Sequence, residues 1–151
     1  MSIERSIKST KPMAIDTKTV INIMYTSRHI EKTIDQFRQH DLTMQQYNVL
    51  RILRGQKGQP ANLSTIQERM IDKNSNTTRL VDKLIEKGLT RRQQCEANRR
   101  KVEIFITDKG MDLLSTLDPL TEKINREIVS NLSHTEKEKL NQLLDKLRND
   151  E

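Results

Sequence analysis

The chain of 151 residues is poor in the residues that build a deep or covalently closed core. It has one cysteine, no tryptophan and 3% aromatic residues, and its apolar fraction is 33%. An average globular chain reaches roughly 45–50% when glycine is counted. A single cysteine excludes an internal disulfide. We therefore expect long helices with narrow apolar stripes that close against a second subunit.

Long hydrophobic runs are also missing. The N-terminal stretch MSIERSIKSTKPMAIDTK contains no apolar segment typical of a signal peptide. No part of the chain approaches the roughly 20 apolar residues that span a bilayer. The sequence therefore predicts a soluble cytoplasmic protein without a membrane partner.

Patterns that indicate catalysis or metal binding are absent as well. His29, His40 and His134 lie far apart, Cys95 has no second cysteine to pair with, and there is no glycine-rich phosphate loop. We predict no enzyme activity, no metal site and no cofactor. Cys95 is interpreted as an inert surface thiol. The alternative is a redox sensor, in which neighbouring arginines would favour the thiolate.

Positive charge is what the chain has in excess. Lys and Arg number 27 against 21 Asp and Glu, which gives a net charge of +6 and a pI of about 9.5. This balance favours an anionic partner, although it does not identify one.

Apolar spacing divides the chain into four segments. A polar arm and a helical stretch come first, three helices and a two-stranded hairpin follow, and the chain ends in helices. We assign 1–15 to a disordered arm, 16–40 to an N-terminal dimerisation helix, 41–107 to a winged helix-turn-helix domain and 108–151 to C-terminal dimerisation helices. The predicted fold class is mostly α with a small β-hairpin wing (α+β).

Capping residues mark several helix boundaries. Three Ser or Thr residues precede a Gln or Glu by three positions, which is the capping-box spacing: Thr43–Gln46, Ser64–Gln67 and Ser133–Glu136. The hairpin strands are expected at 89–94 and 102–107, and Thr107 is expected to cap the next helix. Asp118 before Pro119 predicts a second N-cap, where that helix would kink or restart.

The stretch NSNTTRLVDKLIEKG at 74–88 combines a polar first turn with an apolar stripe. Leu80, Val81, Leu84 and Ile85 would hold the helix on its own domain, while short polar groups in its first turn suit base edges in a DNA major groove. The predicted reading residues are Ser75, Asn76, Thr77, Thr78, Arg79 and Lys83. The alternative is that these residues only cap the helix, because Ser, Asn and Thr are ordinary helix starts.

The segment that follows, RRQQCEANRRK at 91–101, holds five basic residues and one acid. Arginines at a hairpin tip can enter a minor groove, where narrow A·T-rich DNA concentrates negative potential. We interpret this hairpin as a DNA-binding wing. The alternative is a solvated charged turn.

Three runs, TRLVDKLIEKGLTRR, NRR and FITDKG, resemble the core signature of the MarR family of winged-helix regulators. The resemblance covers residues 20–149 and includes the family's second-helix pattern, at Thr43, Gln46, Tyr47, Leu50 and Leu53. It implies a homodimer whose terminal helices interlock, with Ser75 to Arg79 facing the major groove. We assign DNA binding on the wing to Arg92, Asn98, Arg99, Arg100 and Lys101.

Two places depart from the family pattern. Asn98 stands where the family usually has an Asp that braces a wing arginine by a salt bridge. Ile66 and Gln67 stand where the family usually has Leu and Ala. We therefore expect a differently held wing and an altered packing beneath the reading helix.

Relatives in this family often bind small anionic or aromatic effectors between the dimer helices and the DNA-binding lobe. By position, the resemblance implies Tyr25, Arg28 and Tyr47 as pocket residues. The alternative for Tyr47 is a place in the core, because it lies on an apolar stripe.

The sequence as a whole predicts a homodimeric, sequence-specific DNA-binding transcription regulator. We expect it to act as a repressor that a small-molecule effector releases from DNA. Two-fold symmetry predicts an inverted-repeat operator in double-stranded DNA, with half-sites about 10 base pairs apart. The alternative function is a winged-helix protein–protein interaction module that does not bind DNA.

Overall fold

The computed structural model describes residues 1–35 and 40–148. Helices dominate these ranges, which also contain one two-stranded antiparallel sheet, so the predicted fold class is confirmed. Residues 1–36 and 37–151 form two compact units. The parts of the predicted terminal helices at 36–39 and 149–151 lie outside the described residues. No helix in the described ranges is long and apolar enough to cross a membrane.

The first unit contains α1 (Ile3–Ser6) and α2 (Ile15–Ile34). The arm expected to be disordered thus includes a short helix, because Ile3 is buried and Glu4 forms a 2.6 Å ion pair with Lys18 of α2. The hydrogen bond from Lys18 lowers the pKa of Glu4. None of the residues of α2 is buried in the single chain.

The second unit has the element order of a winged helix-turn-helix followed by two helices. Its elements are α3 (Met44–Gly55), α4 (Leu63–Arg69), α5 (Thr77–Glu86), β1 (Thr90–Gln94), β2 (Val102–Ile106), α6 (Asp108–Ile128) and α7 (His134–Arg148). Its core consists of apolar side chains from α3 to α6, including Val49, Leu50, Ile66, Val81, Leu84, Ile104 and Leu114. No residue of α7 is buried.

Two of the three predicted capping boxes are confirmed. The hydroxyl of Thr43 accepts from the Gln46 N–H at 3.1 Å, and the Gln46 side chain accepts from the Thr43 N–H at 3.2 Å. Ser133 and Glu136 make the same reciprocal pair at 3.3 and 2.7 Å. The Ser133 N–H stabilises the carboxylate and lowers the pKa of Glu136. These boxes fix the starts of α3 and α7.

The third predicted box is wrong. Asn62 is the N-cap of α4, and its Oδ1 accepts from the Thr65 N–H at 2.8 Å. Ser64 lies inside the helix, where its hydroxyl donates to the same Asn62 oxygen. Gln67 makes contacts beyond α4 instead, with Lys73 and Thr77.

The predicted restart at Pro119 is also wrong, because α6 runs through this proline. Asp118 is not an N-cap. Its carboxylate accepts two hydrogen bonds from the Arg54 guanidinium, at 2.8 and 3.1 Å, and this contact raises the pKa of Arg54. Buried Leu117 and Ile124 lie on either side of the proline. We attribute the continuity of α6 to this anchoring, which offsets the lost backbone hydrogen bond.

The base of the hairpin is joined to the helical core through β2. Ile104 is fully buried, and its backbone exchanges two hydrogen bonds with Ala61, at 2.8 and 3.0 Å. In the antiparallel register, Arg92 lies opposite Ile104 and Arg91 lies opposite Phe105. The strands match the predicted ranges to within one residue, and Thr107 caps α6 as expected.

Gly110, in the first turn of α6, packs directly on the hairpin. A Cβ atom at this position would overlap the carbonyl oxygen of Leu89 and lie 2.7 Å from Cγ1 of Ile106. The carbonyl of Leu89 already accepts from the Thr107 N–H at 3.1 Å. This close approach explains why the position needs a residue without a side chain.

We predict that Gly110→Ala lowers the free energy of unfolding by about 1–3 kcal/mol, the usual cost of overpacking. Gly55→Ala is the matched control, since it is also helical and a Cβ there meets nothing within 4 Å. Alanine should raise stability at that position by up to about 1 kcal/mol. Urea unfolding curves measure both changes. Equal stability of the two variants would contradict the close packing at Gly110.

Candidate nucleic-acid interface

The packing of α5 decides which of its side chains reach solvent. Val81 and Leu84 are fully buried, and α5 packs against α3 and α4. The opposite face is exposed over Asn76, Thr78, Arg79, Asp82, Lys83 and Glu86. The helix therefore presents a continuous polar face, as the sequence predicted.

The polar opening of α5 serves partly as a helix cap. Asn76 is the N-cap residue, and its Oδ1 accepts from the Arg79 N–H at 3.1 Å. Asn76 is nevertheless an exposed residue, and its amide nitrogen makes no hydrogen bond to another described residue. This stretch was interpreted either as a helix cap or as a set of base-contacting residues. At Asn76 the two interpretations are compatible.

Thr77 and Ser75 do not share this exposure. Thr77 is 6% exposed, and its hydroxyl donates to Oε1 of Gln67. The hydroxyl of Ser75 is buried and has no hydrogen-bond partner among the residues that the structure describes. In this conformation neither hydroxyl is presented to a base edge, so we assign both residues to the packing of the turn.

Gln67 links α4 to the start of α5. Its Nε2 donates to the Lys73 carbonyl at 2.7 Å, while its Oε1 accepts from Thr77. At the second departure from the family pattern, Gln67 therefore forms polar contacts beneath the start of α5. The sequence drew attention to Gln67 but did not indicate its partners, because both contacts cross the turn.

A shallow groove of about 400 Å³ lies beside the polar face, between the start of α3 and α5. Thr43 and Gln45 line it from α3, and Arg79 and Lys83 line it from α5. Lys83 also forms a 3.2 Å ion pair with Glu86. Arg79 makes no side-chain hydrogen bond or ion pair within the described part of the chain.

The hairpin tip is shaped by its own backbone and by Asn98. The N–H groups of Cys95 and Lys101 donate to the carbonyls of Lys101 and Asn98, at 3.0 and 2.9 Å. Asn98 Oδ1 accepts from the Arg100 N–H at 3.1 Å. Asn98 thus braces the tip through the backbone, where an Asp was expected to brace an arginine side chain.

The wing cations fall into two groups. Arg91 stacks 4.0 Å from the centroid of the Phe105 ring, and Arg92 donates to Asp82 of α5 at 2.6 Å. Arg99, Arg100 and Lys101 are exposed and have no side-chain partner among residues 1–35 and 40–148. Positive charge at the tip is therefore available to an anionic ligand.

The three predicted effector residues lie in different surroundings. Tyr25 on α2 is 46% exposed, and Arg28 donates to Glu31 at 2.8 Å. Tyr47 is 6% exposed, and its hydroxyl shares a 2.8 Å hydrogen bond with Thr121 of α6. This burial agrees with the alternative stated for Tyr47, a place in the core. Their role in effector binding stays a prediction.

The other candidate sites raised by the sequence are a metal site and the thiol of Cys95. No group of three or more His, Cys, Asp or Glu side chains that could hold a metal ion occurs among the described residues. Cys95 is a free thiol of intermediate exposure at the end of β1. Both interpretations of Cys95, an inert surface thiol and a redox sensor, stay predictions.

Known proteins match this architecture. A MarR family model matches residues 42–102. The HTH-type transcriptional regulator PecS of Dickeya dadantii (strain 3937) is 31% identical over 118 residues, which span 76% of this chain and 70% of PecS.

Two solved structures share the fold. The organohalide-sensing regulator RdhR-CbdbA1625, in its 2,4-dichlorophenol-bound form, gives a TM-score of 0.82 at 18% identity, over 93% of this chain and 86% of its own. BpsR of Bordetella bronchiseptica gives a TM-score of 0.77 at 21% identity, over 87% of this chain and 98% of its own. At these identities the likeness concerns the fold alone.

The relation to PecS extends over most of both chains, and the family model covers the segment from α3 to the start of β2. The exposed polar helix and the basic hairpin lie in that same segment. The chain belongs to the MarR family of winged-helix transcription regulators.

Proposed function

We propose that the chain is a homodimeric, sequence-specific DNA-binding regulator that represses its target genes. The observation that carries this proposal is the distribution of unpaired positive charge. Arg79 on α5 and three cations on the wing tip are exposed, and no acid in the described residues neutralises them. A polar helix flanked by free cations suits a major groove with phosphates on either side.

The proposed contacts are fewer than the sequence suggested. Asn76, Thr78 and Arg79 would meet the major groove, and Arg99, Arg100 and Lys101 would meet the minor groove or the phosphate backbone. Four other candidates have internal contacts that explain them without DNA: Thr77, Lys83, Arg92 and Asn98. Ser75 is left out of the set because its hydroxyl is buried. The reduced set keeps both base-reading and phosphate-binding groups.

Dimerisation is proposed because each unit leaves apolar helix faces uncovered. On α7, Leu140, Leu143 and Leu147 are 42%, 51% and 58% exposed. On α2, Val20 and Met24 are exposed as well. A second copy that covers such stripes would remove apolar area from water, which is the main source of stability in association. It would also present two reading helices to one duplex.

Selection of duplexes from a random pool tests the function directly. We expect the full chain to enrich an inverted repeat whose half-sites are about 10 base pairs apart. Repeating the selection with 2,4-dichlorophenol or 6-hydroxynicotinic acid added tests two aromatic molecules as candidate effectors. Enrichment of no sequence at low salt would contradict DNA binding and favour a protein-interaction module. A single unpaired half-site would contradict the dimer.

We predict that Asn76→Ser keeps the fold but loses base discrimination. Serine caps a helix about as well as asparagine, but it lacks the amide that pairs with adenine. Discrimination at one operator position should fall by about 1–3 kcal/mol, measured across single-base variants of the selected duplex. Asn76→Ala should also lower helix stability by about 0.5–2 kcal/mol. The same ranking of duplexes for Asn76→Ser and the parent would remove Asn76 from the reading set.

We predict that Leu143→Asp shifts the protein from dimer to monomer. Leu143 is half exposed in the single chain, so an aspartate there does not enter the core of the subunit. Sedimentation velocity measures the change in mass, and circular dichroism checks that the helices persist. Gln142→Asp is the control, since it adds the same charge at an exposed position off the leucine stripe. An unchanged sedimentation coefficient for Leu143→Asp would place the interface elsewhere.

Effector release is part of the proposal because two proteins of this fold bind or are regulated by small aromatic molecules. BpsR is described as regulated in its DNA binding by 6-hydroxynicotinic acid, and RdhR-CbdbA1625 was solved with 2,4-dichlorophenol. The sequence predicted Tyr25, Arg28 and Tyr47 as effector-binding residues. Tyr47 is buried and shares a hydrogen bond with Thr121 of α6, so Tyr25 and Arg28 stay as the exposed candidates. An effector would act by favouring dimers whose reading helices no longer match the duplex.

A further inference from the structure

Arg92 of β1 and Asp82 of α5 connect the wing to the reading helix. Arg92 Nη2 lies 2.6 Å from Asp82 Oδ1, and the two side chains are 41% and 51% exposed. Beyond Arg92 toward the tip, the hydrogen bonds of the hairpin stay within the hairpin. Within the described residues, two polar links that reach another part of the chain lie nearest the wing tip: this ion pair on β1 and, opposite it on β2, the backbone hydrogen bonds between Ile104 and Ala61. The ion pair is the one that joins the wing to α5.

Asp82 lies on the same exposed face as Arg79, one helical turn later. An unpaired carboxylate there would repel the phosphates that Arg79 and the wing tip attract. Glu86, one turn further on, is the other acid on this face, and it is paired with Lys83 of its own helix at 3.2 Å. The two acids thus differ in one respect: Asp82 binds the wing, and Glu86 binds within α5.

We propose that Asp82 and Arg92 are a positioning pair for DNA recognition. Arg92 holds the wing at a fixed place beside α5 and does not itself bind DNA. The free cations of the tip then lie where a duplex read by α5 presents its backbone. This inference rests on the proposed function, and it assigns to Arg92 a role other than the direct DNA contact predicted from the sequence.

A positioning role for Asp82 and a simple charge effect predict different results for two substitutions. Removing either acid, by Asp82→Asn or Glu86→Gln, takes one negative charge from the same helix face. If charge alone mattered, both variants would bind every duplex more tightly. If Asp82 positions the wing, only Asp82→Asn should lose specificity, and Glu86→Gln is its matched control.

The measured quantity is the ratio of affinities for the selected duplex and for a shuffled duplex of equal length. We expect Asp82→Asn and Arg92→Gln each to lower this ratio about 3-fold to 10-fold, with the double variant no worse than either single one. Glu86→Gln should leave the ratio unchanged. Arg92→Gln should keep the salt dependence of the parent, whereas Arg100→Ala should reduce the slope by about 1.

A DNA-free measurement separates this inference from the proposed function. Amide hydrogen exchange over residues 92–104 should be faster in Asp82→Asn and Arg92→Gln than in the parent and in Glu86→Gln. If the parent selects no duplex, DNA binding fails as a function, and exchange alone decides whether the pair holds the wing. Equal exchange in all variants, or a reduced salt slope in Arg92→Gln, would overturn the positioning role.

Discussion

The burial of one face of α5 is the constraint on which the rest of the structure depends. Val81 and Leu84 lose all exposure, and each such burial contributes about 1.5–3 kcal/mol. Exposed ion pairs contribute about 0–1 kcal/mol, so packing and not charge holds the helix in place. Once this face is fixed, Asn76, Thr78 and Arg79 have to face solvent. Gln67 adds a polar contact that fixes where the helix begins.

The cations on this surface differ in whether they have a partner within the chain. Arg91 and Arg92 are engaged by an aromatic ring and by a carboxylate, and Lys83 is engaged by Glu86. The exposed cations at the wing tip have no such partner in the described chain. They can therefore bind a phosphate without first breaking an ion pair or a ring contact. A net charge of +6 is spread over the whole chain. The local division into engaged and free cations is the more specific indication of a DNA-binding surface.

Two helices of the single chain bury none of their residues. Neither α2 nor α7 buries any residue, although both carry apolar side chains at helical spacing. In the proposed dimer the same stripes would set the separation of the two reading helices. Subunit association and DNA spacing would then be linked.

The sequence by itself determined the features that depend on near neighbours along the chain. The helical period, two capping boxes and the hairpin are local patterns that the structure confirms. The family signature is also a local pattern, and the comparison with PecS confirms it. Asn76 as a cap was also foreseen as one of two interpretations. These features persist because a backbone N–H is satisfied by a side chain three residues away, whatever the distant chain does.

Tertiary structure alone decided the contacts between residues far apart in sequence. It turned Thr77 toward Gln67, placed Asp118 against Arg54, buried Leu117 and Ile124 on either side of Pro119 in α6, and joined Arg92 to Asp82. A polar side chain offers the same hydrogen-bonding groups to DNA, to solvent or to another helix. Which of these it meets depends on how the elements pack, and no local spacing records that.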